Sequence, residues 1–331
     1  MTTPASIGGG GERGGRKVGV VGVGAVGQAC AFALLLRGSC REIVLVDKVT
    51  ERATAVATDM RYGAPLSPTA EITAGGWSDL AGADIVLICA GVNERDGGAT
   101  DRSDGEGRLK LLETNASVYR DVVPCIVDVA PEAVLVAVTD PPDPLADLTR
   151  ELAGHDRVLS TGTVIDTLRF RVHLAAQLGV HPSAIEGLVV GEHGTTEVLL
   201  WSSVRVAGTP LAEALGLSDP RRSVEELREQ VEREVRFANI TIIEGNDASQ
   251  FGIGVVCARI AEAVLGDERV VLPVAIYRER HGVTIGLPTV VGATGATGTL
   301  EPSMSEDERA ALERSAATLR DAARRVTVSA G

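Results

Sequence analysis

A glycine-rich segment near the amino terminus constrains the fold of this chain more than any other. The sequence VVGVGAVG at residues 20–27 follows an apolar run directly and opens a helical pattern. In such a segment Gly22 permits a tight turn, Gly24 lets the backbone approach a ligand, and Gly27 allows a helix to pack closely on a strand. This strand–turn–helix order predicts the first unit of an α/β fold.

Apolar runs and helical patterns alternate through the first half of the chain. The runs are continuous, which is typical of strands covered on both faces, and their alternation with helices predicts a doubly wound parallel sheet, a Rossmann domain, at residues 17–160. The predicted strands are Lys17–Gly22, Glu42–Asp47, Asp84–Ala90, Val134–Thr139 and Arg157–Ser160, and the predicted helices are Val26–Arg37, Glu51–Arg61, Arg108–Ala130 and Pro144–Ala153.

The pattern changes near residue 161. A length of 331 residues predicts about two domains, and we expect a flexible tail at residues 1–16 and a C-terminal α+β substrate domain at residues 161–329. The predicted elements there are helices at Asp166–Leu178, Ser223–Ala238 and Ser305–Val326, strands near Leu188 and at Val198–Val206, and a hairpin within Val270–Thr289.

A carboxylate follows the second predicted strand. Asp47 lies 25 residues after Gly22, where a carboxylate accepts hydrogen bonds from the ribose hydroxyls of a dinucleotide whose pyrophosphate rests on the helix N-terminus. Asp47 would also repel the 2′-phosphate of NADP, although Lys48 weakens that repulsion. The sequence therefore predicts a dinucleotide site that favours NAD.

Charge and composition exclude several partners. The chain carries 32 Lys and Arg against 45 Asp and Glu, so its negative field disfavours nucleic acid, while a local arginine cluster can still bind a small anion. The longest apolar run, Ala29–Leu36, is too short to span a bilayer, and residues 1–16 lack the apolar region of a secretory signal. Five scattered cysteines predict free thiols and no metal site. We expect a cytoplasmic protein with no membrane contact.

Three later features carry candidate chemistry. Asp166 and Arg169 are spaced to share one face of a helix, His193 stands in the sequence GEHG at residues 191–194, and Arg108 follows a long polar loop. Taken singly, each has a structural interpretation: a surface ion pair, a buried histidine and a solvated arginine.

Together these motifs resemble the lactate/malate dehydrogenase family. The resemblance covers nearly everything after the tail, and GTxxDxxRFR at residues 162–171 and GEHG are its most specific motifs. It implies an NAD-dependent oxidoreductase that interconverts a 2-oxo acid and its 2-hydroxy acid, assembled as a homodimer or homotetramer.

The resemblance also implies roles for individual residues. His193 donates and accepts the proton, Asp166 orients it, Arg169 grips the substrate carboxylate, and Arg108 on a closing loop polarises the carbonyl. Ser249 lies in the substrate pocket. The implied cofactor positions are Gly22, Gly24, Val26, Gly27, Asp47, Arg52, Trp77 near the adenine, Gly91, Val92, Asn115, Val138 and Thr161.

One departure concerns Asp140, which stands where the family has an asparagine that donates to the substrate oxygen. An ionised carboxylate only accepts hydrogen bonds and repels an oxygen that gains negative charge. Three alternatives follow: Asp140 is protonated, it pairs with a cation that the substrate itself could carry, or it turns outward.

The second departure is the loop of sixteen residues, Val92–Gly107, between Gly91 and Arg108, about eight more than a typical member has. Its polar, glycine-rich composition predicts a lid, the alternative being a surface insertion without substrate contact. Arg102, six residues before Arg108, occupies the position that selects the substrate side chain, and it favours a malate-like dicarboxylate slightly over lactate; Arg95 could fill the same space.

Two alternatives to this function stay open. Asp140 and the long loop favour a family member acting on an unusual amine- or phosphonate-bearing substrate. A dinucleotide-binding protein without catalysis is disfavoured, because His193, Asp166, Arg169 and Arg108 are all present.

Overall fold

A computed structural model describes residues 16–67, 71–93, 110–215 and 223–327. The tail up to residue 15 and the predicted lid beyond residue 93 lie outside these ranges. Arg95, Arg102 and Arg108 therefore also lie outside the described residues, and the roles predicted for them remain predictions.

The first half alternates strands and helices, and one strand was not predicted. That strand, residues 71–74, buries a single apolar residue, Ile72, so it lacks an apolar run. The elements are β1 (Lys17–Val21), α1 (Ala25–Arg37), β2 (Glu42–Val46), α2 (Thr50–Gly63), β3 (Glu71–Ala74), β4 (Ile85–Ile88), α3 (Leu112–Val129), β5 (Val134–Ala137), α4 (Pro142–Ala153) and β6 (Val158–Ser160).

The second half mixes short strands with longer helices. Its elements are α5 (Val164–Leu178), β7 (Ile185–Glu186), β8 (Val189–Val190), β9 (Val198–Leu199), β10 (Arg205–Val206), β11 (Thr209–Pro210), α6 (Leu211–Ala214), α7 (Val224–Arg236), α8 (Ala238–Asn246), α9 (Phe251–Leu265), β12 (Val270–Leu272), β13 (Ala275–Arg278), β14 (Val283–Gly286), β15 (Thr289–Gly292), β16 (Gly295–Thr299) and α10 (Glu306–Thr327).

One prediction for the second half was wrong, and two helices were missed. Residues 198–206 form not one strand but β9 and β10, separated by a 3-10 turn in which the Trp201 ring packs edge-on against Phe170 at 4.7 Å between centroids. Helices α8 and α9 were not predicted. Because α9 is buried on most of its surface, its apolar residues show no clear helical periodicity.

The central sheet has eight strands in the order β14-β13-β6-β5-β4-β1-β2-β3. Strands β1 to β6 pair in parallel, and β13 and β14 extend the β6 edge in antiparallel pairing. Strand order reverses between β1 and β4, which is the point where ligands bind doubly wound sheets. The predicted fold class, a Rossmann-type sheet followed by an α+β part, is confirmed.

Both faces of the sheet are covered, which explains the continuous apolar runs. In β4, Ile85 and Leu87 belong to one core with α1 and α9, whereas Val86 and Ile88 belong to a second core with α3 and α4. Each of these side chains is fully buried, and full burial stabilises a residue of this size by about 1.5–3 kcal/mol.

Helix α9 of the second half packs directly on α1 of the first. A Cβ atom at Gly254 would lie 2.7 Å from the carbonyl carbon and oxygen of Ala29, so a glycine is needed for this close approach. This packing brings the start of α9 beside the glycine turn that precedes α1.

No single helix within the described ranges has the length and apolar character needed to cross a membrane. The pair α8 and α9, bent by 117°, meets that criterion jointly.

The buried Asp147 makes stability depend on pH. Burial raises its pKa to about 6, although Thr284 donates from its backbone N–H and its hydroxyl to the carboxylate. In the unfolded chain an aspartate titrates near 3.8. Between these two values the folded protein keeps a proton that the unfolded chain releases, so the free energy of unfolding falls as pH rises.

We therefore expect Asp147→Asn to flatten this decline, because the amide oxygen still accepts from Thr284 and no longer titrates. Thermal unfolding of both proteins, followed by circular dichroism from pH 4 to pH 6, measures the effect. Parallel curves of Tm against pH would contradict the assignment.

Candidate active site

A cleft opens at the carboxyl ends of the parallel strands. The glycine turn before α1, the ends of β4 and β5, the start of α5, the turn that carries His193 and the segment joining α8 to α9 all border it. Six predicted cofactor residues line this cleft: Gly24, Val26, Gly91, Val92, Val138 and Thr161.

The three glycines of the turn have different surroundings. Gly22 has a φ of +91°, and a Cβ there would lie 2.4 Å from the backbone nitrogen of Ala90. A Cβ on Gly27 would lie 1.9 Å from the carbonyl oxygen of Gly22. A Cβ on Gly24 would meet no atom within 4 Å, and Gly24 borders the cleft. The fold itself requires two of the glycines, and the third leaves room for a ligand.

Asp47, at the end of β2, holds the glycine turn in shape. Its carboxylate accepts from the backbone N–H of Val23 at 2.7 Å and of Val49 at 2.8 Å, and Arg52 lies 3.6 Å away. A carboxylate offers about four acceptor positions, so these bonds leave capacity for the predicted ribose contact. The contact with Val23, which adds a structural role, was not foreseen from the sequence.

The other six predicted cofactor residues do not border the cleft: Gly22, Gly27, Asp47 and Arg52, described above, and Trp77 and Asn115. Trp77 follows β3 and is 36% exposed. Asn115 is fully buried on α3, where its side chain accepts from the N–H of Val92 at 2.7 Å and donates to the carbonyl oxygen of Asp140 at 2.7 Å. Asn115 thus fixes the backbone on two sides of the cleft.

The predicted catalytic residues lie together at the cleft. His193 Nδ1 is 2.5 Å from Asp166 Oδ2, and Arg169 Nη1 donates to Asp166 Oδ1 at 3.0 Å. Asp166 is 1% exposed, whereas His193 and Arg169 border the cleft. A carboxylate on Nδ1 fixes the imidazole tautomer and leaves Nε2 for a reacting group. The Arg169 guanidinium has five N–H donors, so the bond to Asp166 leaves others for an anionic ligand.

Asp140 faces the second ring nitrogen of His193. Its Oδ1 lies 3.7 Å from His193 Nε2, and its side chain is 20% exposed. The outward orientation, one of the three alternatives for Asp140, is therefore wrong. Carboxylates stand on both sides of the imidazole, Asp166 at Nδ1 and Asp140 near Nε2.

A third carboxylate, Asp143, holds the backbone of the turn that carries His193. This residue was not identified from the sequence. Asp143 Oδ2 accepts from the backbone N–H of His193 at 2.8 Å, and Ser160 Oγ donates to Asp143 Oδ1 at 2.5 Å. Burial raises the pKa of Asp143 to about 7. Its position in the first turn of α4 resembles ordinary helix capping, so no sequence signal connects it with a turn 50 residues away.

Helices α8 and α9 supply further cleft residues. Ser249, which was predicted, lies between them, and Asn239 and Ile253 lie on them. Asn239 and Ile253 were missed because neither helix was predicted. Had α8 been predicted, an asparagine among its buried positions would have indicated a polar residue at the site.

The open space at Gly24 leads to a prediction about cofactor binding. Gly24 has a φ of −77°, which alanine adopts readily, so Gly24→Ala is expected to leave Tm unchanged. The added methyl group enters the cleft and is expected to weaken NADH binding about tenfold, equivalent to about 1.4 kcal/mol.

Gly27→Ala is the comparison variant. Its methyl group clashes with the Gly22 carbonyl oxygen, so we expect a lower Tm. Fluorescence titration with NADH and thermal unfolding of both variants separate the two effects. Equal loss of Tm in the two variants would contradict a ligand-facing role for Gly24.

The glycine turn, the parallel sheet and a histidine–carboxylate pair beside an arginine define a dinucleotide-dependent oxidoreductase. Comparison with protein families identifies its two halves. Residues 16–160 match the lactate/malate dehydrogenase NAD-binding domain, and residues 163–328 match the lactate/malate dehydrogenase α/β C-terminal domain. The chain belongs to the lactate/malate dehydrogenase family and is an NAD-dependent enzyme of the lactate dehydrogenase type.

Individual relatives agree with this assignment. The L-lactate dehydrogenase of Deinococcus radiodurans is 45% identical, covering 92% of this chain and 97% of its own length. The L-lactate dehydrogenase of Thermus aquaticus is 43% identical, and the match covers 93% of this chain and 98% of that protein. The crystal structure of MGS-M5, a lactate dehydrogenase from a Medee basin deep-sea metagenome library, superimposes with a TM-score of 0.85 at 31% identity, covering 94% and 99%.

These comparisons confirm the predicted family, enzyme class and cofactor. They do not support the expected preference for a malate-like dicarboxylate, because these relatives are named L-lactate dehydrogenases. That expectation depended on Arg102, which lies outside the described residues.

Proposed function

We propose that this enzyme reduces a short 2-oxo monocarboxylate of the pyruvate type to its L-2-hydroxy acid with NADH, and catalyses the reverse reaction. The observation that carries the proposal is the group of His193, Asp166 and Arg169 in one cleft with the open face of Gly24. The names of the relatives supply the substrate class.

Each side chain has a defined part in this proposal. NADH, when bound, supplies the hydride that is added to the carbonyl carbon. Arg169 holds the substrate carboxylate through a bidentate pair of hydrogen bonds. His193 delivers a proton from Nε2 to the carbonyl oxygen, and Asp166 keeps the ring oriented and stabilises its charged form. By resemblance, Arg108 polarises the carbonyl.

The substrate class is tested by the loss of NADH absorbance with pyruvate, 2-oxobutyrate and oxaloacetate. We expect a higher kcat/KM for pyruvate than for oxaloacetate, since the relatives are lactate dehydrogenases. A strong preference for oxaloacetate would contradict the monocarboxylate proposal and indicate a dicarboxylate substrate. No activity with any of the 2-oxo acids would reject the proposed reaction.

We also propose that a second copy of the chain covers an apolar face formed by α1, α5 and α9, giving a homo-oligomer. Pairs of residues one helical turn apart are 42–67% exposed on these three helices, and α9 packs on both α1 and α5. Soluble monomers rarely expose large apolar patches, and six large exposed apolar side chains on packed helices indicate an interface. The pairs are Phe32 with Leu36, Leu168 with Val172, and Phe251 with Val255.

Light scattering of the purified protein measures its mass in solution. We expect a dimer or tetramer that Val172→Glu dissociates and that Leu300→Glu, an exposed apolar site outside this face, leaves intact. A monomeric parent protein would reject the assembly.

We further propose a cytoplasmic location and a division into a dinucleotide domain at residues 17–160 and a substrate domain at residues 161–329. The five cysteines are free thiols, which suits a reducing compartment.

A further inference from the structure

One polar side chain of the cleft has no part in the proposed reaction. Asn239 on α8 borders the cleft together with His193 and Arg169, and it is 6% exposed. Its carboxamide makes no hydrogen bond with any other residue in the described part of the chain. The side chain is therefore nine-tenths buried, and the part of it that remains open borders the space that a substrate enters.

An amide that loses its water to a ligand without gaining a new hydrogen-bond partner is destabilising. A buried polar group without a partner retains most of its desolvation penalty, and a carboxamide has two donor hydrogens and an acceptor oxygen to satisfy. Since no residue in the described ranges bonds to the Asn239 amide, its partner comes from what fills the cleft, which is water or a ligand. An apolar substituent there would exclude water and leave the amide unsatisfied.

Neighbouring residues extend this polar character. Ser249 borders the same cleft within the segment that joins α8 to α9, and its hydroxyl both donates and accepts. Asp140, which borders the cleft beside His193 Nε2, adds a carboxylate that accepts hydrogen bonds. Three side chains thus offer hydrogen bonds in addition to the catalytic group.

We propose that Asn239 and Ser249 form a polar subsite for the substrate side chain, so that the preferred 2-oxo acid carries a hydroxyl group on its third carbon. The inference rests on the proposed function, because it concerns the substituent of the acid reduced at His193. A hydroxyl group both donates and accepts, and so satisfies the Asn239 amide as a methyl group cannot.

Two commercial 2-oxo acids of equal size test this subsite. 3-Hydroxypyruvate and 2-oxobutyrate have the same number of non-hydrogen atoms and differ by a hydroxyl in place of a methyl group. For the parent enzyme we expect kcat/KM for 3-hydroxypyruvate to exceed that for 2-oxobutyrate by about tenfold or more, because a site built for a hydrogen bond discriminates strongly against an analogue that lacks it.

The variants identify the residue responsible. Asn239→Leu keeps the side-chain volume and is expected to bring the ratio of the two kcat/KM values to about one or below, mainly by improving 2-oxobutyrate. Ser249→Ala, at a partly exposed position that tolerates a smaller residue, is expected to lower the same ratio by a smaller factor. Thr241→Ala, at an exposed position on the same helix, is the control and leaves the ratio unchanged.

The outcomes separate the two proposals. If the parent enzyme reduces both acids with similar kcat/KM and neither Asn239→Leu nor Ser249→Ala changes the ratio, the polar subsite is wrong and the proposed function stands. If the parent enzyme oxidises NADH with neither acid nor with pyruvate, the proposed function fails and the subsite fails with it.

Discussion

Replacing His193 with alanine is expected to lower kcat for pyruvate reduction by a factor of about 10²–10⁴, the usual contribution of a general acid–base group. The reason is geometric: Asp166 occupies Nδ1, so Nε2 is the ring nitrogen that faces the cleft. NADH affinity is expected to stay near the parent value, because the glycine turn lies on a different segment of the cleft wall. Stopped-flow measurement of NADH oxidation and a fluorescence titration with NADH provide both quantities.

A second histidine serves as the control. His173 lies on α5 with Asp166, and its Nδ1 is 3.0 Å from Glu234 Oε2 at a position one-third exposed. We expect His173→Ala to retain the parent kcat, since this ring is absent from the cleft lining. A His193→Ala enzyme with a kcat close to that of the parent would remove His193 from the proton transfer.

Asp140→Asn is expected to raise kcat for pyruvate about tenfold or more, since a single hydrogen-bond donor at a developing oxyanion is worth about 10²–10³ in comparable sites. The Asp140 carboxylate lies 3.7 Å from His193 Nε2, so it competes with the substrate oxygen for the Nε2 proton. Its charge also opposes the negative charge that develops on that oxygen. An asparagine amide in its place donates a hydrogen bond to the oxygen.

The measurement is kcat with pyruvate for the parent, Asp140→Asn and a surface control. Asp156→Asn suits the control because its side chain is 81% exposed and pairs with Arg150 away from the cleft. A fall in kcat with pyruvate, which carries no cationic group, would contradict the expected gain. The alternative in which Asp140 pairs with the substrate predicts that fall only for a 2-oxo acid that bears an amine. An unchanged kcat with every 2-oxo acid would exclude Asp140 from the reaction centre.

Sequence reasoning succeeded where the determinants are local. The glycine turn at residues 22–27 depends on short-range backbone geometry, and the buried strands follow from runs such as Ile85–Ile88, whose side chains alternate between two cores. Asp166 and Arg169 are one helical turn apart, and their ion pair forms as that spacing predicts.

It failed where burial erased a pattern or where a strand was too short to show one. Helix α9 is apolar on nearly every face, because α1 and the sheet cover most of it and its exposed residues Phe251 and Val255 are apolar as well, so it carried no amphipathic signal. Strand β3 buries one apolar residue at the edge of the sheet. The cleft residue Asn239 was missed because the helix on which it lies, α8, was not predicted either.

The sequence by itself determined the fold class, the family and the chemical types in the catalytic group, because these depend on motifs whose members are close in the chain. The tertiary structure alone decided three further features of the site. Asp143 supports the His193 turn from 50 residues away, Asp140 faces His193 Nε2, and Asn239 borders the same cleft as His193. Each of these contacts joins segments far apart in the chain, and only the packing of helices on the sheet brings such side chains within hydrogen-bonding reach of one cleft.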